Sequence, residues 1–451
     1  MKAFFSADID FKETSRTFNG MSLSVPSLTQ SVTSDLAKAL LEAQTTVQRI
    51  GISDIVTAIA ETTKLWTKPS FPPRQTAEKW LPTLTGFSQP MVAWALNTCF
   101  SSLTADALNA LLRSELGDPE VLDNFQLKRH GGDSHQAFGP HLITHILSGN
   151  IIGIAVNSII FGLLTKSANI AKSASQEPLL GPLFAESLQP IFPELARCIA
   201  VLWWKSGDKK IETEMFAHSN VVVAYGRDKT IQNIKRDLPP HVRLVEHGHR
   251  LSFGIVGREQ VTAEVAQSAA RDVCLFDQKG CLSLQAIYVE EGGAATSQQF
   301  ATWLSSAMPS LCSKFPPGPI TKSEAAFVQN FRATYETMGG TVYAPSHSLD
   351  WTVIHDPDSK LRPSCLHRTI LVKPIDDLRC VPDAVRPLGG KLSAVGIAAP
   401  PERIGNIARP LANLGANRLC PIGHMQEPPL TWHHDGRFNL LDLIHFTDLE
   451  N

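Results

Sequence analysis

No two of the eight cysteines form a CxxC pair: Cys99, Cys198, Cys274, Cys281, Cys312, Cys365, Cys380 and Cys420 are scattered through 451 residues. That scatter offers no disulfide framework and no zinc ribbon, and it predicts reduced thiols and a cytoplasmic location. The amino terminus, MKAFFSADIDFKE, lacks the apolar core of a signal peptide. The most apolar run, Ile151 to Leu164, is interrupted by Gly153, Asn157, Ser158 and Gly162. It falls short of the roughly 20 residues a membrane span needs, so it is read as a buried helix and no integral membrane contact is expected. No charge of one sign dominates either: the net charge is -2 and the pI near 6.7. Without a basic field the chain is not expected to bind nucleic acid. There is no GxGxxG fingerprint, no internal repeat and no low-complexity tract.

What remains is a globular chain, 43% hydrophobic and 19% charged, long enough for two or three domains. Residues 1 to about 125 are predicted to be mainly helical. Ser31 to Ile50, Ile52 to Trp66 and Trp94 to Leu116 carry apolar residues at helical spacing, and the prolines from Pro69 to Pro82 break it. From His130 the texture turns to strands alternating with helices. Gly139 to Leu147, Ala168 to Lys172 and Asn220 to Tyr225 read as strands; Ile151 to Thr165, Pro182 to Leu188, Glu194 to Trp203 and Asp228 to Arg236 read as helices. A second block of the same kind, about Leu251 to Cys420, opens on the strand Leu251 to Val256 and holds another at Ser393 to Ala398. The tail carries Trp432-His433-His434-Asp435-Gly436 and a closing amphipathic segment from Phe438 to Phe446. Such alternation implies parallel sheets with ligand groups at the carboxyl ends of their strands, and those ends here are glycine, serine, lysine or asparagine.

The stretch Asp272-Val-Cys-Leu-Phe-Asp277-Gln-Lys-Gly280-Cys281-Leu-Ser-Leu-Gln285 stands between a predicted helix, Glu264 to Arg271, and a predicted strand, Ala286 to Glu290. Cys281 therefore sits on a glycine turn, where its amide and sulfur can face one small volume. It is a candidate nucleophile; the alternative is a buried structural cysteine, the expectation for Cys274.

DQKGCLS followed by a strand, together with LSGNIIG, ANIAKSAS, VVVAYG, GANRLCPIG and WHHDG in that order, resembles the aldehyde dehydrogenase superfamily, and most closely its acyl-CoA reductase branch of the bacterial luminescence type. The resemblance covers Gly139 to the carboxyl terminus. It implies an α/β fold of two Rossmann-like parallel-sheet domains with a helical N-terminal region. Residues 1–250 would hold that region and the dinucleotide-binding domain, 251–420 the catalytic domain with the nucleophile, and 421–451 a C-terminal return and oligomerisation segment.

Residue by residue, the resemblance implies Cys281 as nucleophile, with the Asn150 amide and the Cys281 backbone N–H as an oxyanion hole. Asn150 has a structural alternative, capping the next helix. Ser148, Gly149, Lys172, Ser173, Ser175 and Gly226 fall at cofactor-binding positions. An ammonium with two hydroxyls suits a 2′-phosphate, hence NADP, the alternative being a solvated surface lysine. Arg227 departs from the family, which usually has serine after this glycine. Glu246 falls at the general-base position, with an exposed loop carboxylate as the alternative; His247 and His249 are weaker candidates for acidifying Cys281. No metal is expected at His433-His434-Asp435, because adjacent histidines on an extended chain point apart and no further ligands stand at metal spacing.

The activity so implied is NADPH-dependent reduction of an acyl-CoA, or an acyl-carrier thioester, to an aldehyde through an S-acyl-cysteine. A CoA-independent aldehyde dehydrogenase and a non-catalytic acyl-binding scaffold of a fatty-acid reductase complex are the alternatives. Implied partners are acyl-transferase or synthetase enzymes and further copies of the chain in a homo-oligomer.

Overall fold

The structure, a computed structural model, describes residues 1–128 and 132–450; His130, where the α/β texture was expected to begin, lies outside them. The chain divides into two units. Unit 1 comprises residues 1–85, 92–248 and 429–451, and unit 2 comprises residues 86–91 and 249–428.

The sheet of unit 1 contains β1 (Phe5–Ser6), β2 (Leu142–Ile146), β3 (Ala168–Lys172), β4 (Ile199–Leu202), β5 (Val221–Tyr225) and β6 (Arg243–His247), in the order β1-β4-β3-β2-β5-β6. Every pairing is parallel except β1 with β4. β2, β3 and β4 are buried along their whole length, as strands covered on both faces must be. Burial of that kind tolerates a polar residue only if it is satisfied. His145, in the middle of β2, donates from Nε2 to Asn169 Oδ1 at 2.9 Å and accepts at Nδ1 from the Ser158 hydroxyl at 2.8 Å. Burial pushes its pKa down to about 4, so the ring is neutral and belongs to the core.

The amino-terminal region is helical from Gln30 to Leu116, in five helices (Gln30–Val47, Ile52–Trp66, Pro72–Thr85, Gln89–Ser101 and Ala105–Leu116). Two expectations there are corrected. The prolines from Pro69 to Pro82 break the helical pattern only once, at the gap between Trp66 and Pro72 that holds Pro69; Pro72 and Pro73 occupy the first turn of the next helix, where no backbone donor is needed, and Pro82 lies inside that helix. Before the helices, Glu13–Phe18 and Met21–Pro26 pair as a hairpin, turned by Asn19 (φ 44°) and Gly20 (φ 83°). An Asn-Gly pair supplies the two positive φ values of a type I′ turn. Further on, Glu194 to Trp203 is not one helix: Pro193–Arg197 is helical and Ile199–Leu202 is the buried strand β4. The closing segment forms a strand, His445–Leu449, antiparallel to Ser134–Phe138. The turn before it is held by Glu115, whose buried carboxylate accepts the N–H groups of Asn439, Leu440 and Leu441.

Unit 2 is a second doubly wound sheet of β7 (Leu251–Val256), β8 (Leu284–Glu290), β9 (Thr341–Tyr343), β10 (Thr352–His355), β11 (Thr369–Ile375), β12 (Leu392–Ala398) and β13 (Arg418–Pro421). Their order is β9-β10-β11-β8-β7-β12-β13, with only β9 antiparallel. At the carboxyl end of β8, the buried Glu290 carboxylate binds Arg258 and Arg403.

Candidate active site

In unit 1 the chain leaves β2 for β3 and β4 on one side, then returns to β5 and β6 on the other. The winding reverses between β2 and β5, and ligands of open α/β sheets bind at such a reversal, at the carboxyl strand ends. The register sets Ile146 beside Lys172 and Ala224, and Tyr225 beside His247. One sheet edge thus collects Ser148-Gly149-Asn150, Lys172-Ser173, Ser175, Gly226 and Glu246.

Gly149 follows β2 where no side chain fits: a Cβ would lie 2.9 Å from Gln176 Cβ and 3.0 Å from both Ala174 Cβ and the Glu177 nitrogen. Asn150 does not cap the next helix, which starts at Ile154 with Gly153 (φ 107°) as its cap. Lys172 is not a solvated surface residue. It is 5% exposed, its Nζ donates to the Ser206 hydroxyl at 3.0 Å and lies 5.6 Å from the Trp204 ring centroid. Burial lowers its pKa, opposed by Glu212. The Ser175 hydroxyl accepts from Trp203 Nε1 at 3.0 Å. The Gly226 N–H donates to the His247 carbonyl at 3.1 Å, and a ten-residue helix starts at Asp228 behind an exposed Arg227. Glu246 is half-buried on β6 and not on a loop.

A buried carboxylate that the sequence reading passed over, Glu177, closes this edge. It accepts the N–H groups of Leu179 and Leu180 at 3.0 and 2.7 Å, at the start of the helix Leu180–Leu188. Burial pushes its pKa up to about 7. A glutamate directly before Pro178-Leu179-Leu180, three residues ahead of the helix start, was the available signal.

In unit 2, Cys281 lies where expected, half-buried on a turn between the helix Ala263–Cys274 and β8. Two devices hold that turn. The Ser252 hydroxyl, on β7, donates to the Cys281 carbonyl at 2.7 Å and accepts the Ala394 N–H at 3.0 Å. Upstream, Phe276, Asp277 and Gln278 have φ of 53°, 50° and 62°, and Leu366, His367 and Arg368 have φ of 62°, 54° and 57°. Left-handed backbone at non-glycine residues is costly and persists only where the surroundings impose it. The two strained triplets impose it on each other. Arg368 donates from Nε (3.0 Å) and Nη2 (2.6 Å) to Asp277 Oδ1. The Gln278 side chain accepts from Thr369 N (3.0 Å) and donates to the Thr369 carbonyl (2.7 Å). The strain is therefore locked by a buried ion pair four residues before the sulfur.

The thiols divide by environment. Burial pushes Cys99 and Cys198 up to about 12 and Cys420 to about 11, and raises Cys365. Cys274 is raised by its hydrogen bond with Cys312 and by burial. All five are held as thiols, which makes Cys274 structural as expected. Cys380 is exposed. Cys312, unremarked in the sequence, is lowered by its bond with Cys274 and by Arg368, whose Nη1 lies 3.2 Å from its sulfur.

The tail motif gains a partner that no local pattern showed. His247, at the end of β6, bonds through Nδ1 to Asp435 Oδ2 at 3.1 Å. Its ring stacks between Tyr225 (centroids 4.5 Å apart) and His434 (4.4 Å), and Trp432 packs on His434 at 4.7 Å.

Two doubly wound sheets, with a cysteine turn ahead of a strand in one and glycine, lysine and asparagine at strand ends in the other, are the parts of an aldehyde dehydrogenase. The chain matches the aldehyde dehydrogenase KauB from Pseudomonas aeruginosa with a TM-score of 0.77, covering 99% of this chain and 95% of that one at 12% identity. It matches an NADP-dependent glyceraldehyde-3-phosphate dehydrogenase from Bacillus halodurans C-125, complexed with NADP, with a TM-score of 0.74 over 97% and 96% at 14% identity. At such identities the likeness shows the fold, aldehyde dehydrogenase-like α/β.

Within that fold, the family model described as acyl-CoA reductase (LuxC) matches residues 47–446, and the chain belongs to this family. It is an enzyme of the acyl reductase class. A long-chain acyl-protein thioester reductase from Aliivibrio fischeri is 25% identical over 340 residues, 73% of this chain and 68% of that protein. Long-chain acyl-protein thioester reductase 2 from Photobacterium leiognathi is 24% identical over 444 residues, covering 96% and 89%. With the Photorhabdus luminescens relative, 29% identical over 228 residues, the match spans about half of each chain, 49% and 47%. Among the described residues, no helix is long and apolar enough to cross a membrane.

Proposed function

We propose that the chain reduces a long-chain acyl thioester to the aldehyde with NADPH, through an acyl group carried on Cys281. The observation that carries this reading is the Cys281 turn, half-buried and fixed by Ser252 and the Asp277–Arg368 lock, in a chain of the acyl-CoA reductase family. The Cys281 thiolate attacks the thioester carbonyl, the bond to the carrier sulfur breaks, and the carrier leaves as a thiol after taking a proton. Asn150 and the Cys281 N–H are assigned to the carbonyl oxygen, one such donor being worth about 3 kcal/mol. A nicotinamide dinucleotide, when bound, supplies hydride to the acyl carbon. The resulting tetrahedral alkoxide loses its C–S bond, releasing aldehyde and returning the Cys281 thiolate.

The residues of unit 1 fit a dinucleotide. Gly149 and Gly226 leave backbone bare at the reversal of winding. Lys172 has ammonium protons beyond the one given to Ser206, and with Ser173 and Ser175 it favours the 2′-phosphate of NADP. A reductase has no step for Glu246 as the base of thioester hydrolysis. The relatives' names support an acyl group borne by a protein, whereas the family description supports CoA. A homo-oligomer, and partner acyl-transferase or synthetase enzymes, belong to the same proposal.

The test is to supply NADPH with long-chain acyl-CoA in one arm and an acyl-carrier protein thioester in the other, with mass spectrometry of the acylated enzyme. The label is expected on Cys281, with aldehyde formed and NADPH consumed. Label on Cys312 would reassign the nucleophile. Aldehyde oxidation without CoA and without thioester reduction would replace the reading by an aldehyde dehydrogenase using Glu246. Absence of both activities would leave an acyl-binding scaffold.

A further inference from the structure

We propose that Cys312 and Cys274 form a peroxide-oxidisable thiol pair, in which Cys312 meets the oxidant and Cys274 closes a disulfide on it, and that this modification acts on the turn carrying Cys281. Both cysteines lie in unit 2, on two helices that pack together. Cys274 is the last residue of the helix Ala263–Cys274, and Cys312 sits in the last turn of Ser297–Lys314. The Cys274 sulfur lies 4.0 Å from Met308 Sδ. Met308 and Cys312 are four residues apart and share one face of their helix, so the thiol that touches the first also hydrogen-bonds the second.

Three features set Cys312 apart from the other thiols. Arg368, 1% exposed, places Nη1 3.2 Å from its sulfur. Cys312 is half-buried, whereas Cys274 is fully covered. Arg368 and Asp350, which both meet the Cys312 sulfur, also line a cavity of about 850 Å3 together with Lys279, Arg332, His347 and His367. Open space lined with basic groups thus comes within one residue of the sulfur. The hydrogen bond from Cys274 and the Arg368 guanidinium lower the Cys312 pKa to about 7, against burial. An accessible thiolate in a basic setting, with a second thiol in contact, is the arrangement that peroxides oxidise.

The chemistry balances with a peroxide as the oxidant. The Cys312 thiolate attacks one peroxide oxygen, the O–O bond breaks and hydroxide leaves; the sulfur loses two electrons to become a sulfenic acid, and the peroxide gains them. The Cys274 sulfur then attacks the Cys312 sulfur, an S–S bond forms, and the sulfenic oxygen leaves as water with the Cys274 proton. Arg368 holds two contacts to Asp277 and one to Cys312. Oxidation discharges the sulfur and draws it toward Cys274, so the guanidinium loses the third contact and the lock before Cys281 loosens. The effect on catalysis rests on Cys281 as nucleophile; the disulfide does not.

The test uses full-length Cys281→Ser protein, so that the catalytic thiol does not compete, and hydrogen peroxide with peptide mass mapping. A peptide joining Cys274 to Cys312 is expected, reversed by dithiothreitol and formed at pH 7 at least ~10-fold faster than the exposed Cys380 is oxidised. In the same background Cys274→Ala is expected to leave a sulfenic acid on Cys312, trapped by dimedone, and Cys312→Ala to abolish both products. Far-UV circular dichroism of each reduced variant shows that it folds. Amide exchange over residues 275–284 is expected to run about 3–10-fold faster in the disulfide form. Cys312 oxidised no faster than Cys380, or linked to a cysteine other than Cys274, overturns the proposal. Exchange that the disulfide leaves unchanged overturns its action on the Cys281 turn.

Discussion

Replacing Arg368 by methionine tests how the Cys281 turn is held. The guanidinium is 1% exposed and gives two donors to Asp277 Oδ1, whose other oxygen has the Gly318 N–H at 3.2 Å. Removing one partner of a buried pair costs about 3–5 kcal/mol, because the remaining charge is stranded. The pair also opposes backbone strain at Phe276, Asp277 and Gln278, each worth ~1–2 kcal/mol in left-handed conformation. The stranded carboxylate is therefore free to relieve itself by letting the triplet relax. Because the chain has two units, a single unfolding midpoint is a poor reporter. Amide exchange followed on peptides spanning residues 275–284 reads the local opening directly. Exchange there is expected to accelerate by roughly 10²–10³-fold, matching a loss of ~3–4 kcal/mol. Single-turnover acylation of Cys281 should slow in parallel. The double variant Asp277→Asn/Arg368→Met removes both charges and should recover most of the protection, giving a coupling of ~2–3 kcal/mol. Unchanged exchange and unchanged acylation in Arg368→Met would refute the lock.

Asn150→Ala, which removes an assigned oxyanion donor, should lower the acylation rate by about 10²–10³-fold with little change in KM; an effect confined to KM would assign Asn150 to binding. Gly149→Ala pushes a methyl against Gln176, Ala174 and the Glu177 nitrogen. It should cost ~1–3 kcal/mol and weaken dinucleotide binding by tenfold or more, read by fluorescence titration; equal affinity would remove this loop from the cofactor site. Glu177 has a folded pKa of about 7 against an ordinary 4.5. The folded protein thus holds the proton more tightly, so the contribution is complete below pH ~4.5 and is lost as pH rises through 7, by at most ~3 kcal/mol. Glu177→Gln should flatten that part of the fall in unfolding temperature between pH 5 and 8; identical slopes for the two proteins would show the carboxyl is not buried as described.

What the sequence disclosed follows from how local each signal is. β5 and β7 are mostly apolar runs, and they were legible because a strand buried on both faces is rich in such residues. The cysteine turn was legible for the same reason, lying between a helix-spaced and a strand-like stretch. β4 was not: Ile199–Leu202 is four residues long and directly follows helical spacing, so periodicity alone continued the helix into it. The hairpin at Glu13–Pro26 escaped because its first strand, ETSRTF, is mostly exposed and alternates weakly, although Asn19-Gly20 marked it. The burial of Lys172 under Trp204 depends on which strand lies alongside, which sequence spacing does not contain. The meetings of Arg368 with Asp277 and His247 with Asp435 span 91 and 188 residues, and only the closed fold brings such pairs together.

The division of the chain has a consequence for its biosynthesis. Unit 1 is written in three stretches and is completed only by residues 429–451, after all of unit 2 has been made. A ribosome therefore delivers a finished unit 2 while unit 1 still lacks the His445–Leu449 strand, which pairs with Ser134–Phe138 in a small three-stranded sheet of its own. Until then the Glu115 carboxylate has none of the three backbone donors that later surround it. The nascent protein passes through a state in which both large sheets are complete and the small three-stranded sheet still lacks its last strand, and residues 429–451 act as the closing stitch. Chaperone dependence and protease sensitivity during synthesis should concentrate in that interval.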